Sequence, residues 1–168
     1  VQGSVPEEYG SLSTLETLAL PGLQLNGTIP TSVSGLQALQ QLDLSYNPGL
    51  SGRLPVQLGQ CSNLTHIWLQ QCSLNGSVPA SFGGLAKLKH MSLAWNQLTG
   101  GFPMMSNMPA LQELHLSGNR LGGMRRHLQQ HNVCIQMAMT FGLNTVLRRS
   151  VDNANDVPAR AKHAEFNA

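Results

Sequence analysis

The chain has 168 residues, a formal charge of +2, and only 11% charged and 5% aromatic positions. That length suits one ordinary domain, and so weak a charge does not point to nucleic acid or an acidic surface as a partner. No stretch approaches the roughly 18 unbroken apolar residues of a membrane span, and three cysteines, Cys61, Cys72 and Cys134, are odd in number and do not make a disulfide framework.

The first element is half of a repeat. Val1-Gln2-Gly3-Ser4-Val5-Pro6 returns as Leu25-Asn26-Gly27-Thr28-Ile29-Pro30, then at Leu50–Pro55, Leu74–Pro79 and Leu98–Pro103. Residue 1 therefore lies inside a unit, and the expectation is a fragment with sequence missing upstream. The other half of the unit is Leu15-x-x-Leu18-x-Leu20, repeated from Leu39, Leu64, Leu88 and Leu111, starts 23 to 25 residues apart. Five matches at near-constant spacing are the signature of a repeat architecture.

Alternating apolar residues such as Leu18 and Leu20 put one strand face inward and the other outward. This predicts parallel strands near residues 17–20, 41–44, 66–69, 90–93 and 113–116. The glycine of each unit permits a tight turn, and the proline ends regular pairing on the outer wall. One unit cannot bury its leucines alone; stacked units bury them against one another. Just past each strand stand Leu23, Asn47, Cys72, Asn96 and Asn119. Asn or Cys there can bond the backbone groups that the turn leaves unpaired. Cys72 thus reads as a rung of this ladder rather than a redox or metal site, and Leu23 predicts a looser first repeat.

The pattern L-x-x-L-x-L-x-x-N-x-L-x-G-x-I/V-P resembles the plant-type leucine-rich repeats of receptor-like kinases, receptor-like proteins and related algal or protist proteins. Leu58-Gly59-Gln60-Cys61-Ser62-Asn63-Leu64 resembles the convex segment of that family. The resemblance covers about residues 1–123. It implies an α/β repeat solenoid, a right-handed horseshoe arc with a parallel β-sheet on its concave face. It also implies a binding role for that face, with no catalysis by the repeats. The family's paired-cysteine caps, a membrane span and a kinase domain are missing from this chain.

After Gly123 the pattern stops, where Arg125 and Arg126 replace the expected apolar residue and proline. Residues 124–168 form a non-repeat C-terminal tail with six Lys/Arg against three Asp/Glu. Leu128, Ile135, Met139, Leu143 and Leu147 fall near a helical period, so residues 124–149 read as an amphipathic helix or cap, and 150–168 as a polar, disordered tail. Two other readings stay open: a stretch without an evolved role, from a shifted frame or exon boundary, and a functional tail.

No phosphate-binding loop, dinucleotide fingerprint, metalloprotease motif, C-x-x-C or nucleophile elbow occurs. His127, His131 and Cys134 have helical spacing but lack a fourth ligand, so no metal and no cofactor are expected. Three sequons, at Asn26, Asn63 and Asn75, are candidates for glycosylation and fit an extracellular or cell-surface location; the phrase L-N-G-T/S is also part of the repeat itself.

Residues between the inward leucines face out of the concave sheet. Asp43, His66, Trp68, His90 and His115 fall on that face, with Tyr46 and Trp95 just beyond the strand ends. Strands roughly 4.8 Å apart would join these into one patch, and exposed Trp and Tyr are enriched in binding hot spots. The sequence reading is therefore a non-catalytic module that takes a protein or peptide ligand on its concave face. The alternatives are the repeat part of a receptor-like kinase whose kinase domain is absent here, and a structural or intracellular scaffold.

Overall fold

The structure is a computed structural model that describes residues 3–103, 108–122 and 147–148. Numbered in chain order, the odd strands are β1 (Gly3–Ser4), β3 (Leu25–Gly27), β5 (Gly49–Arg53), β7 (Ser73–Gly76), β9 (Gln97–Gly100) and β11 (Arg120–Leu121). The even strands are β2 (Thr17–Ala19), β4 (Gln41–Asp43), β6 (His66–Trp68), β8 (His90–Ser92), β10 (Glu113–His115) and β12 (Leu147–Arg148). Each set forms its own six-stranded sheet. From β2 to β10 the concave sheet is parallel, with Leu18, Leu42, Ile67, Met91 and Leu114 in one register row. All five are buried, because their neighbours on either side turn outward.

The second sheet is not predicted by the sequence reading, which took Leu-x-Gly as a turn. It arises because equal spacing brings the same backbone groups of successive units side by side. Leu25, Leu50, Leu74 and Leu98 anchor it in the core. Gly27, Gly52, Gly76 and Gly100 close it at φ of 74, 80, 74 and 76°, a region that glycine enters without steric cost. The prolines Pro30, Pro55 and Pro79 then start short 3-10 turns at Thr31–Gly35, Val56–Gln60 and Ala80–Gly84. These turns form the convex wall and bury Val33, Leu58 and Phe82.

The ladder is built as a stitch between repeats. Asn96 donates to Leu69 O (2.7 Å) and Leu93 O (3.1 Å) and accepts from Leu74 N (3.0 Å). Asn47 does the same with Leu20 O, Leu44 O and Leu25 N. Cys72 donates its thiol to Leu44 O at 3.4 Å, but sulfur is a weak acceptor. The amide that an asparagine would satisfy, Leu50 N, bonds instead to Asn47 O at 2.9 Å. The extra residue in Asn47-Pro48-Gly49-Leu50 permits that local turn. Leu23 is exposed, as its chemistry predicts, and Gln24 beside it holds a φ of 57°.

The expected amphipathic helix or cap over 124–149 lies outside the described residues except at Leu147–Arg148. Those two residues form β12, antiparallel to β10, with Glu113 opposite Arg148 and Leu114 opposite Leu147. An extended segment can satisfy the open backbone groups of β10, which a helix cannot. Residues 150–168 and the His127, His131 and Cys134 cluster lie outside the described residues.

Candidate functional site

Alternation within β6 and β8 turns His66, Trp68 and His90 to the concave side, and the register sets His66 opposite His90. The result is a three-ring stack. Trp68 lies on His66 with centroids 5.0 Å apart, and His66 on His90 at 4.7 Å with planes 12° apart. β10 adds Glu113, opposite His90, whose Oε2 lies 3.2 Å from His90 Nδ1 and 3.8 Å from His115 Nε2.

Hydrogen bonds orient two imidazoles. Thr65 Oγ1 lies 2.9 Å from Gln40 O and 2.8 Å from His66 Nδ1. Gln40 O already accepts from Thr65 N and His66 N, so the hydroxyl and the ring share one hydrogen bond whose donor depends on the His66 tautomer. Glu113 only accepts when ionised, so His90 Nδ1 donates to it. The neutral His90 ring is left with Nε2 as an acceptor. Burial, then the neighbouring His90 and Lys89, hold the His66 imidazole below its ordinary value. Burial pushes the thiols of Cys61 and Cys72 up, so both are protonated donors rather than nucleophiles.

Beyond the strands a ledge is formed by the residue that precedes each ladder position. Tyr46, Gln71 and Trp95 have φ of 59, 55 and 58°, and Gly22 and Gly118 occupy the same position at the two ends. A positive φ is rare for bulky residues. Here it is held by bonds across repeats, from Tyr46 N to Gln70 O, Gln71 N to Ala94 O and Trp95 N to Ser117 O. Tyr46 and Trp95 are about half exposed, at 52% and 48%. A Cβ at Gly118 would stand 2.7 Å from the Trp95 ring, so the glycine provides the space in which the indole lies.

Strand face and ledge enclose a groove of about 600 Å³. It is lined by six of the seven sequence candidates, Tyr46, His66, Trp68, His90, Trp95 and His115. Asp43 does not line it; its carboxylate turns to Ser45, accepting from Ser45 N (3.0 Å) and Ser45 Oγ (2.6 Å). A second hollow of about 550 Å³ lies along the ledge between Tyr46 and Trp95. Among the described residues, no group of three or more His, Cys, Asp or Glu side chains is placed to hold a metal ion.

A leucine-rich-repeat family profile matches residues 62–121. Receptor-like protein 50 of Arabidopsis thaliana is 45% identical over 49 residues, 29% of this chain and 6% of that protein. Among solved structures, the BIR2 ectodomain of Arabidopsis thaliana aligns with a TM-score of 0.66 at 32% identity, over 74% of this chain and 65% of that one. Residues 62–121 are leucine-rich repeats, and the solenoid is similar to plant-type leucine-rich-repeat ectodomains. The ectodomain of the Arabidopsis receptor kinase HAESA, solved in complex with an N-terminally extended IDA peptide hormone, also aligns. Its TM-score is 0.66 at 32% identity, over 71% of this chain and 20% of that one. The chain thus spans only a small part of the receptor-like protein and of the HAESA ectodomain.

Within this leucine-rich-repeat frame, sequence reasoning missed several groove residues. Glu113 was visible as an outward strand residue, but only its register opposite His90 reveals the shared contact. Gln70, Gln71 and Ser117 lie past the strands, where period-2 alternation no longer tells in from out. The sequons separate: Asn26 and Asn75 are exposed on the second sheet, whereas Asn63 donates to Gln37 O (2.9 Å) and accepts from Lys87 Nζ (2.8 Å).

Proposed function

We propose that this leucine-rich-repeat module binds a protein or peptide segment in its concave groove and performs no catalysis. The observation that carries the reading is the convergence of Tyr46, Trp68 and Trp95 on one groove, with polar groups at known positions between them. Rigid aromatic anchors beside a few oriented hydrogen-bonding groups are the usual make-up of a binding hot spot. The HAESA ectodomain, similar to this chain, is complexed with a peptide hormone, which supports the same class of ligand here. The exposed sequons Asn26 and Asn75 support a place outside the cell or on its surface, in a receptor-like parent protein. A kinase domain elsewhere in that parent would change what binding triggers, not where it occurs.

The test is a peptide or partner screen on the folded chain, followed by Trp68→Ala. Loss of about 2 kcal/mol or more of binding is expected, with an unchanged melting curve. A partner that ignores Trp68 and Trp95 but responds to convex changes such as Gln57→Ala or Lys87→Ala would end the reading.

A further inference from the structure

The groove has a chemical bias. Among the described residues it is lined by one carboxylate, Glu113, and by no lysine or arginine. Lys89 neighbours His90 in sequence but does not line the groove. His90 donates its Nδ1 hydrogen to Glu113, so when neutral it presents an acceptor at Nε2, and His66 stacks on it. Gln70 adds a third feature. Its Oε1 is buried and has no hydrogen-bond partner among the described residues, and an unpaired buried acceptor is costly. Turning that amide toward the groove would let it take a donor from a ligand. Beside these acceptors stand the indoles. Trp95 is packed against Gly118 on one side and is about half exposed, so ring surface remains open to the groove.

Acceptors, a carboxylate and open aromatic faces together select one kind of group. A cation is drawn to the face of tryptophan, and a flat guanidinium stacks there while its fork of donors meets a carboxylate. We propose that the groove takes an arginine side chain of the bound peptide, stacked on Trp95 and donating to Glu113 and the His90 acceptor. This rests on the peptide-binding reading and adds the identity of the anchoring residue. A lysine would reach the same charge but lacks the flat fork that stacks on the ring and meets a carboxylate bidentately.

The experiment is an array of random peptides probed with the full chain at pH 7.5, then solution affinities for the tightest peptides. Arginine should be enriched among the bound peptides. Replacing that arginine by citrulline, which keeps the shape and removes the charge, should weaken binding about tenfold or more, and lysine should restore only part of it. Glu113→Gln should narrow the gap between arginine and citrulline peptides, and the peptide substitutions leave the protein's folding untouched. Enrichment of aspartate or glutamate would overturn the inference, as would binding with equal affinity for arginine and citrulline forms; either leaves peptide binding itself standing. An array on which no peptide binds would overturn both readings.

Discussion

Tyr46, Gln71 and Trp95 sit at φ of 55 to 59°, where an L-residue pays roughly 1–2 kcal/mol relative to ordinary backbone. Such strain persists only where the surroundings over-determine it, and it concentrates at functional sites. Tyr46→Gly should therefore stabilise the fold by about 1 kcal/mol in urea unfolding and weaken ligand binding; a variant no more stable than the parent would show that the ledge is unstrained. A second prediction concerns His66. In the unfolded chain its imidazole titrates near 6.5, and in the fold burial lowers that value. The unfolded state then takes up a proton first as pH falls. Stability is full above about pH 6.5 and declines through the window beneath it. Melting temperatures from pH 7 to 5 should fall less steeply for His66→Gln than for the parent; parallel slopes would remove His66 from the account. At this scale the sequence made the strand-borne residues legible, because alternation alone puts His66, Trp68 and His90 outside. The turn of Asp43 onto Ser45 and the seat that Gly118 gives Trp95 depend on local dihedrals, which no periodicity encodes.

At the level of elements, the strands and ladder were legible because leucine alternation and a polar residue at fixed offset admit few structures. The second sheet was not, since its pairing is between backbone groups and needs only equal repeat length. Compensation between Cys72 and the Asn47–Leu50 turn was also hidden: it links an inserted residue in one unit to a substitution in the next. The difference is measurable. Asn96→Ala would strand Leu74 N and the carbonyl of Leu69 in the core, while Leu93 O keeps its bond from Asn119 Nδ2. Each orphaned buried group costs about 1–3 kcal/mol, so about 3 kcal/mol of unfolding free energy should be lost in total. Cys72→Ala removes one weak thiol donor and leaves Leu50 N bonded to Asn47 O, so a loss of about 1 kcal/mol is expected, mostly from the small cavity. Equal losses in chemical denaturation would show that the ladder does not discriminate its rungs.

The described repeats form a stack, and a stack is weakest at its ends, where a repeat has a neighbour on one side only. Leu42, Ile67 and Met91 in the middle are fully buried, whereas Leu15, Leu20, Leu116 and Leu121 at the ends are only partly covered. The C-terminal end carries more than stability, because β10 supplies Glu113 and His115 to the groove. Its outer edge is an open strand edge unless something pairs with it, and β12 does so through Leu147 and Arg148. Deleting residues 147–168 should therefore lower the melting temperature by several degrees, as expected for a loss of about 1 kcal/mol. It should also weaken binding of the same ligand, since β10 would be free to fray and Glu113 would no longer be held beside His90. A truncated chain with an unaltered melting curve and unaltered affinity would show that β12 neither closes the stack nor steadies the groove, leaving the repeats to hold β10 by themselves.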